Sequence, residues 1–434
     1  MPSTSEQVTI RGGSRLQGSV RAPPSKSHTH RAVIAASLST EKSKIENPSL
    51  SEDARATTAA VEAYGAQVAL QEGSLTVAGV GHVETPADVV DCRESASTMR
   101  FVTPILPHAE GISVVTGEPS LRNRPMHPLI DAMRQLGVLC YSVRSNGCAP
   151  LVMFGRTYRG GRVRIVGDVS SQFISGLLFS APMGPQPTSI EVCTPLESAP
   201  YVRMTLRVLR CHDIQVNANA NLTSFTINGV QSPRSYDHLV EGDYSSASFM
   251  LAAGAVTGSD IEVSGLKTSG SIQGDSQVLS VLRDMGVDVQ SEEESVWIRS
   301  KRLRATEIDA ADCPDLVPPL AVVACYAQGT TKITNAERLR VKESNRLVAL
   351  SSELGKMGAK IQETRDGLEI TGVPSLRGAK VDPQGDHRIA MACAVAALAA
   401  KGNTTIDRAS CVTKSYPSFF EDLKTLGGDI LGWK

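Results

Sequence analysis

Six times along the chain a short polar turn, rich in Ser, Asp and basic residues, opens directly onto an apolar helical run. The turns read PPSKSHTHRAVIAA, CRESASTMRFVTPIL, GDVSSQFISGLLFSA, EGDYSSASFMLAAGA, DCPDLVPPLAVVACYA and QGDHRIAMACAVAALAA. Anchored on Ser25, Ser95, Ser170, Asp243, Asp315 and Asp386, they are spaced by 70, 75, 73, 72 and 71 residues, so six units account for the 434 residues. Such a period marks a repeated supersecondary unit, and its polar turns are where chemistry is to be sought.

Each unit continues alike. After the apolar helix comes a short β-branched segment such as DIEVSG, TKITNA or TTIDRA. A second helix follows with apolar residues at helical spacing and a closing Gly, as in SQVLSVLRDMG, RLVALSSELGKMG and HPLIDAMRQLG. Two short strands complete it, for example AQVAL with SLTVAG. The predicted unit is βαβαββ, which makes the chain an α/β protein of the α+β type. The sixth unit runs out after GGDILGWK, before its last strand, whereas the chain begins with EQVTIRGG, which has that strand's pattern. The N-terminus is therefore expected to close the C-terminal sheet. Two three-unit domains follow, 21–240 and 1–20 with 241–434, with the backbone crossing between them near Ser19–Arg21 and again near Tyr236–Glu241.

Composition narrows the class without changing this picture. The chain is 41% hydrophobic and 21% charged with a net charge of −1, which gives no global attraction to nucleic acid. With 4% aromatic residues the core must be aliphatic, and no base-stacking platform is offered. The apolar run 389–400 is too short to span a bilayer, and MPSTSEQ lacks the apolar core of a signal peptide, so a cytoplasmic protein is expected. Nine Cys without a CxxC pair read as reduced, buried thiols. His28-x-His30 has no neighbouring ligands to complete a metal set, and neither a metal nor a cofactor is predicted.

The first turn, Pro23-Pro24-Ser25-Lys26-Ser27, invites comparison with a nucleotide-binding P-loop. Two prolines, however, remove amide donors where a P-loop needs them. What remains is a lysine flanked by hydroxyls at a helix start, with Arg31 about one turn along, a workable anion site. Cations recur in the other units: Arg100, Arg124, Lys342, Arg346, Arg388 and Lys414. Each alone reads as a solvated surface charge. If equivalent helix starts of two domains face one another, these cations converge on one central cleft that selects a polyanionic small molecule. Among them stand Asp315, Glu343 and Asp386 beside His387. Held among cations, a carboxylate stays ionised and is available as a proton acceptor; the competing reading for all three is a helix cap.

Nine short motifs then carry a family resemblance. PSKSHTHR resembles an SKSxxxR turn and TGEPSLRNRPM a GEPxxxxRP turn; SSQF, PYVRMTL, VEGDYSSAS, PDLVP, RVKESNR, DHRIAMA and CVTKSYPSFF follow in family order. Together with the altered second turn CRESASTMR, they make the whole chain similar to the 5-enolpyruvylshikimate-3-phosphate synthase family, within the enolpyruvyl transferases. The resemblance implies transfer of an enolpyruvyl group from phosphoenolpyruvate to the 5-hydroxyl of shikimate 3-phosphate, with release of phosphate, by a protein of two three-unit domains that close over their substrates, taken as a monomer. It implies that Lys26, Ser27, Arg31, Ser170, Ser171, Gln172, Ser198, Tyr201, Asp315 and Lys342 hold shikimate 3-phosphate. Phosphoenolpyruvate falls to Lys26, Ala96, Arg124, Gln172, Arg346, Arg388 and Lys414. Asp315 is then the acceptor of the hydroxyl proton with Lys26 bridging, Glu343 the acid and base at the methylene carbon, and His387 its tuning partner.

Two departures stand out. CRESASTMR replaces the commoner GNAGTAMR, putting Glu94 at an Asn position and Ala96 at a Gly position, and Arg338 stands where the family often has Asn. Glu94 and Arg338 are therefore left out of the substrate sets. Ala96 implies tolerance of glyphosate, a longer molecule than phosphoenolpyruvate that packs against that Gly. Two other readings stay open: the sister transferase acting on UDP-N-acetylglucosamine, and a non-catalytic anion-binding repeat protein, including one that binds RNA ends. The first is disfavoured because the turn has Lys-Ser, not Lys-Asn, and TGEPSLRNRPM holds no Cys. Lys26, Asp315 and Glu343 together disfavour the second.

Overall fold

Why the polar turns start helices is visible in their side chains. In the computed structural model, which describes residues 7–300 and 302–433, five of the six anchors are N-caps whose side-chain oxygen accepts a backbone amide of the first turn. Ser25 serves helix Lys26–Ser37, Ser95 helix Ala96–Val102, Ser170 helix Ser171–Ser180, Asp243 helix Tyr244–Thr257 and Asp386 helix His387–Ala399. Each satisfies one of the amides a helix start leaves unpaired. The fifth repeat breaks the rule. There Pro314–Leu316 forms a 3-10 turn before helix Val317–Cys325, whose cap position is Leu316 with no side-chain bond.

These six helices are buried almost from end to end, as their sequences demand. Tyr244–Thr257, Val317–Cys325 and His387–Ala399 pack on one another, and Ala96–Val102 packs against both Lys26–Ser37 and Ser171–Ser180. Gly176 permits the last approach, because a β-carbon there would lie 2.2 Å from the carbonyl oxygen of Arg100. The second helix of each unit is amphipathic and turns one face outward; Ala199–Cys211 buries Val202, Met204, Thr205, Val208 and Leu209.

The described strands make six four-stranded sheets with one recurring plan. The first strand of the unit pairs parallel with the second, the second antiparallel with the fourth, and the fourth antiparallel with the third. Three sheets borrow strands from distant sequence, one of them by pairing Gln17–Arg21 parallel with Asp260–Ser264. Strand Gln7–Arg11 lies between Asn403–Asp407 and Ile430–Leu431, with Val8 opposite Ile406 and Ile10 opposite Ile430, so the N-terminal strand does complete the sixth unit. His238–Leu239 runs parallel to Lys42–Glu46 and supplies the first unit's missing strand. The chain accordingly divides into two compact units, Met1–Pro23 with Glu241–Lys434, and Pro24–Val240. Each has its own aliphatic core. Among the described residues, no helix is long and apolar enough to cross a membrane.

Candidate active site

In the discontinuous unit, the three helix starts and the 3-10 turns around them gather the acidic candidates. Asp315, freed from capping, offers one oxygen to Arg346 Nη1 at 2.9 Å and the other to Arg388 Nη2 at 2.9 Å. Arg346, only 1% exposed, also donates from Nη2 to Glu343 Oε2 at 2.7 Å and from Nε to Asp386 Oδ2 at 2.8 Å. Lys414 Nζ stands 3.9 Å from Glu343 Oε1. A buried guanidinium with three carboxylate partners is the kind of pairing that offsets the loss of hydration.

The two readings of the carboxylates now separate. Asp386 is a cap: its Oδ1 accepts Arg388 N at 2.9 Å, and it anchors Arg346 besides. Glu343 is not, because Asn345 caps helix Arg346–Lys356. Asp315 is not either. Burial alone would raise the Asp315 carboxyl, but Arg388, Lys342 and Arg346 outweigh it and hold it well below the usual carboxylate range. Burial pushes Lys342 down to about 8, against the pull of Asp315. His387, 1% exposed, has Nδ1 3.8 Å from Asp386 Oδ1.

In the unit Pro24–Val240 several of the remaining candidates join through hydrogen bonds that span repeats. Arg31 lies buried between the rings of Phe101, 5.0 Å away, and Tyr201, 5.8 Å away. It donates from Nε to Thr205 Oγ1 at 2.8 Å and from Nη1 to the Ser27 carbonyl at 2.9 Å. Its burial lowers the guanidinium to about 10, partly countered by Tyr201, so it stays charged at neutral pH. Arg100 Nη1 donates to Ser170 Oγ at 3.2 Å and to Gln172 Oε1 at 2.8 Å, while Gln172 Nε2 donates to Ser97 Oγ at 2.8 Å. Thus the second and third turns are one surface, with Ser171 buried beside them and Ala96, 9% exposed, at the first helical position of the second. Ser198 has a left-handed backbone, φ 56°, ahead of helix Ala199–Cys211. For a residue with a β-carbon that is stored strain, of the sort found at binding turns. Arg124 is 5% exposed just after the turn Leu121–Asn123.

Both departures have local explanations. Glu94 accepts a 2.6 Å bond from Ser120 Oγ and so ties the second turn to the loop that carries Arg124. Arg338 donates to the carbonyls of Ala310 and Ala311, bracing the segment that leads to Asp315. Sequence reasoning placed Arg100 only among the cations expected at the cleft and assigned no site role to Thr205, Asp53 or Asp275. Asp275 is fully buried, accepts from the Ser245 hydroxyl, and is pushed up to about 7 by burial and then by Asp315. Thr205 lies inside PYVRMTL, whereas neither Asp53 nor Asp275 sits in a local pattern that marks it out. Among the described residues, no group of three His, Cys, Asp or Glu is placed to hold a metal ion.

Comparison with known proteins points one way. Residues 10–423 match the family model described as EPSP synthase (3-phosphoshikimate 1-carboxyvinyltransferase). The chain is 47% identical over 420 residues to the 3-phosphoshikimate 1-carboxyvinyltransferase of Methanocella arvoryzae, covering 96% of this chain and 98% of that one. It is 44% identical over 420 residues to that of Methanocorpusculum labreanum, again at 96% and 98% coverage. A solved EPSP synthase structure from Acinetobacter baumannii superposes with a TM-score of 0.83 at 27% identity, over 98% of this chain and 99% of that one.

Proposed function

This chain belongs to the EPSP synthase family of enolpyruvyl transferases, and from that premise we propose the division of labour among its residues. The reaction is the transfer of the enolpyruvyl group of phosphoenolpyruvate to the 5-hydroxyl of shikimate 3-phosphate. The observation that carries the assignment is Asp315: alone among the six anchors it caps no helix, and it is held ionised between two guanidiniums. An ionised carboxylate of this kind is suited to accept the 5-hydroxyl proton as the oxygen attacks C2 of phosphoenolpyruvate.

The addition also needs a proton at C3, which converts methylene to methyl and leaves a tetrahedral ketal phosphate. Glu343, which is bonded to Arg346 and faces Lys414 Nζ, is assigned that proton transfer. In the elimination the same carboxylate takes a methyl proton back while the C2–O bond to phosphate breaks and phosphate leaves. His387 is assigned the tuning of Glu343. Arg346, Arg388 and Lys414, with Lys26, Arg124, Ala96 and Gln172, are assigned to phosphoenolpyruvate. The units in 21–240 are assigned to shikimate 3-phosphate through Lys26, Ser27, Arg31, Ser170, Ser171, Gln172, Ser198 and Tyr201, with Lys342 and Asp315 from the other domain. Fixed cations of this sort stabilise developing negative charge without reorganising.

The finer parts of the reading are action as a cytoplasmic monomer and tolerance of glyphosate, the latter because a methyl group projects from Ala96 at the helix start. The deciding assay is phosphate release from phosphoenolpyruvate by the purified protein. Release that requires shikimate 3-phosphate supports the reading. Release that requires UDP-N-acetylglucosamine, or no release with either acceptor, overturns it.

A further inference from the structure

Lys26, the side chain assigned to both substrates, is already engaged inside its own unit. Its Nζ donates to Asp53 Oδ2 at 2.6 Å, and the two side chains are only 16% and 7% exposed. Asp53 stands in the first turn of helix Glu52–Ala63, two positions past its N-cap Ser51, where the amide ends favour a carboxylate. One turn along the same helix, Thr57 Oγ1 lies 2.6 Å from His30 Nδ1 and 2.6 Å from Thr98 Oγ1. Thr98 in turn donates to Ser95 Oγ at 2.7 Å. Proton counting sets the direction of this chain. With Thr98 donating to Ser95, Thr57 must donate to Thr98, and His30 must donate from Nδ1 to Thr57. Burial lowers His30 to about 3, so it is a neutral ring with one N–H to give. Helix Glu52–Ala63 thereby fastens the first turn, with Lys26 and His30, to the second, with Ser95 and Ala96.

We propose that Asp53 is a positioning residue for the transfer reaction: its carboxylate holds the Lys26 ammonium at the helix start and releases it to substrate oxygens. This rests on the role assigned to Lys26 above. A substrate phosphate must compete with Asp53 for the ammonium. Removing the carboxylate therefore leaves binding of phosphoenolpyruvate intact or tighter while the ammonium loses its place in the reacting complex. The alternative is that the pair only stabilises the fold, as any buried ion pair resists loss of one partner.

Steady-state phosphate release by the full-length protein separates these, using Asp53→Asn, Asp53→Glu, Lys26→Met and the double variant Lys26→Met with Asp53→Asn. Asp53→Asn is expected to lower kcat by about tenfold or more with KM for phosphoenolpyruvate unchanged or lower. Asp53→Glu should recover most of that loss, and the double variant should be no slower than Lys26→Met alone, because the carboxylate acts only through the lysine. Asp53→Asn within about threefold of wild-type kcat, or equal losses in the presence and absence of Lys26, overturns the proposal. If Asp53→Asn does not fold, Asp53→Glu decides: a folded Glu variant that stays as slow as Lys26→Met overturns it, and one near wild type supports it. A wild-type rate in Lys26→Met would instead show that the role assigned to Lys26 itself is wrong, and the proposal falls with it.

Discussion

In five repeats the anchoring side chain spends its acceptor on a helix amide, whereas Asp315 gives both oxygens to Arg346 and Arg388 and keeps 24% of its side chain exposed. A local rule broken in one repeat of six marks a residue to test for chemistry. Asp315→Asn keeps the shape and removes the charge. It should lower kcat by about a hundredfold or more, as loss of a general base does, while calorimetric affinity for shikimate 3-phosphate stays within a few-fold. Turnover near wild type in the folded variant would remove Asp315 from the proton path. Ala96→Gly should tighten glyphosate inhibition against phosphoenolpyruvate by roughly 5- to 150-fold, the reverse of overpacking by one methyl. Unchanged inhibition would show that the second turn keeps the methyl clear of the ligand. The charged candidates were legible because their motifs are local strings. The contacts of Thr205 beneath Arg31 and of Arg100 beside Gln172 were not, because each joins residues about 70 or more positions apart and leaves no periodic trace.

At the scale of elements, the turn-then-helix pattern was legible because a capping oxygen and an apolar face are both properties of adjacent residues. Less legible was the fifth turn. Its prolines, Pro314, Pro318 and Pro319, carry no amide to be capped, which lets a 3-10 turn replace the capped start and releases Asp315. The two-residue strand His238–Leu239 is also too short for any alternation to announce. Two caps that look alike in sequence should differ in cost. Ser25 accepts a single amide bond from His28, so Ser25→Ala should destabilise by about 1 kcal/mol. Asp386 caps its helix and also neutralises buried Arg346, so Asp386→Ala should cost about 3–5 kcal/mol. Denaturant midpoints of the purified variants check this. Equal costs would mean that Arg346 is satisfied by Asp315 and Glu343 alone.

Across the whole molecule, histidines are unevenly placed: seven of the eight lie in Pro24–Val240 and only His387 in the other unit. Burial lowers His30 to about 3, His108 to about 4 and His238 to about 3, the last also through His212 and His28. Each native ring stays neutral while the unfolded chain takes up a proton, so their contribution is whole above about pH 6.5 and is lost as pH falls toward 4. Asp275, raised to about 7, has the opposite sign: native protein binds its proton first, so its unit gains between about pH 7 and 4. Asp315 loses its contribution only below about pH 4. Thermal melts at pH 7.5 and 4.5 should therefore show Pro24–Val240 weakened by a few kcal/mol, with proteolysis at low pH cutting there first. Cleavage confined to the discontinuous unit would contradict this. The borrowed strands carry a further consequence, for synthesis. Pro24–Val240 is continuous and holds all its strands once residue 239 has emerged, whereas Gln7–Arg11 pairs with strands made about 390 residues later. At roughly 5–20 residues per second, strand Gln7–Arg11 waits some 20 s to over a minute for its neighbours. During translation, then, a segment made early is the last to find its place, and a chain stopped short of residue 403 carries a finished half and a strand with no sheet to enter.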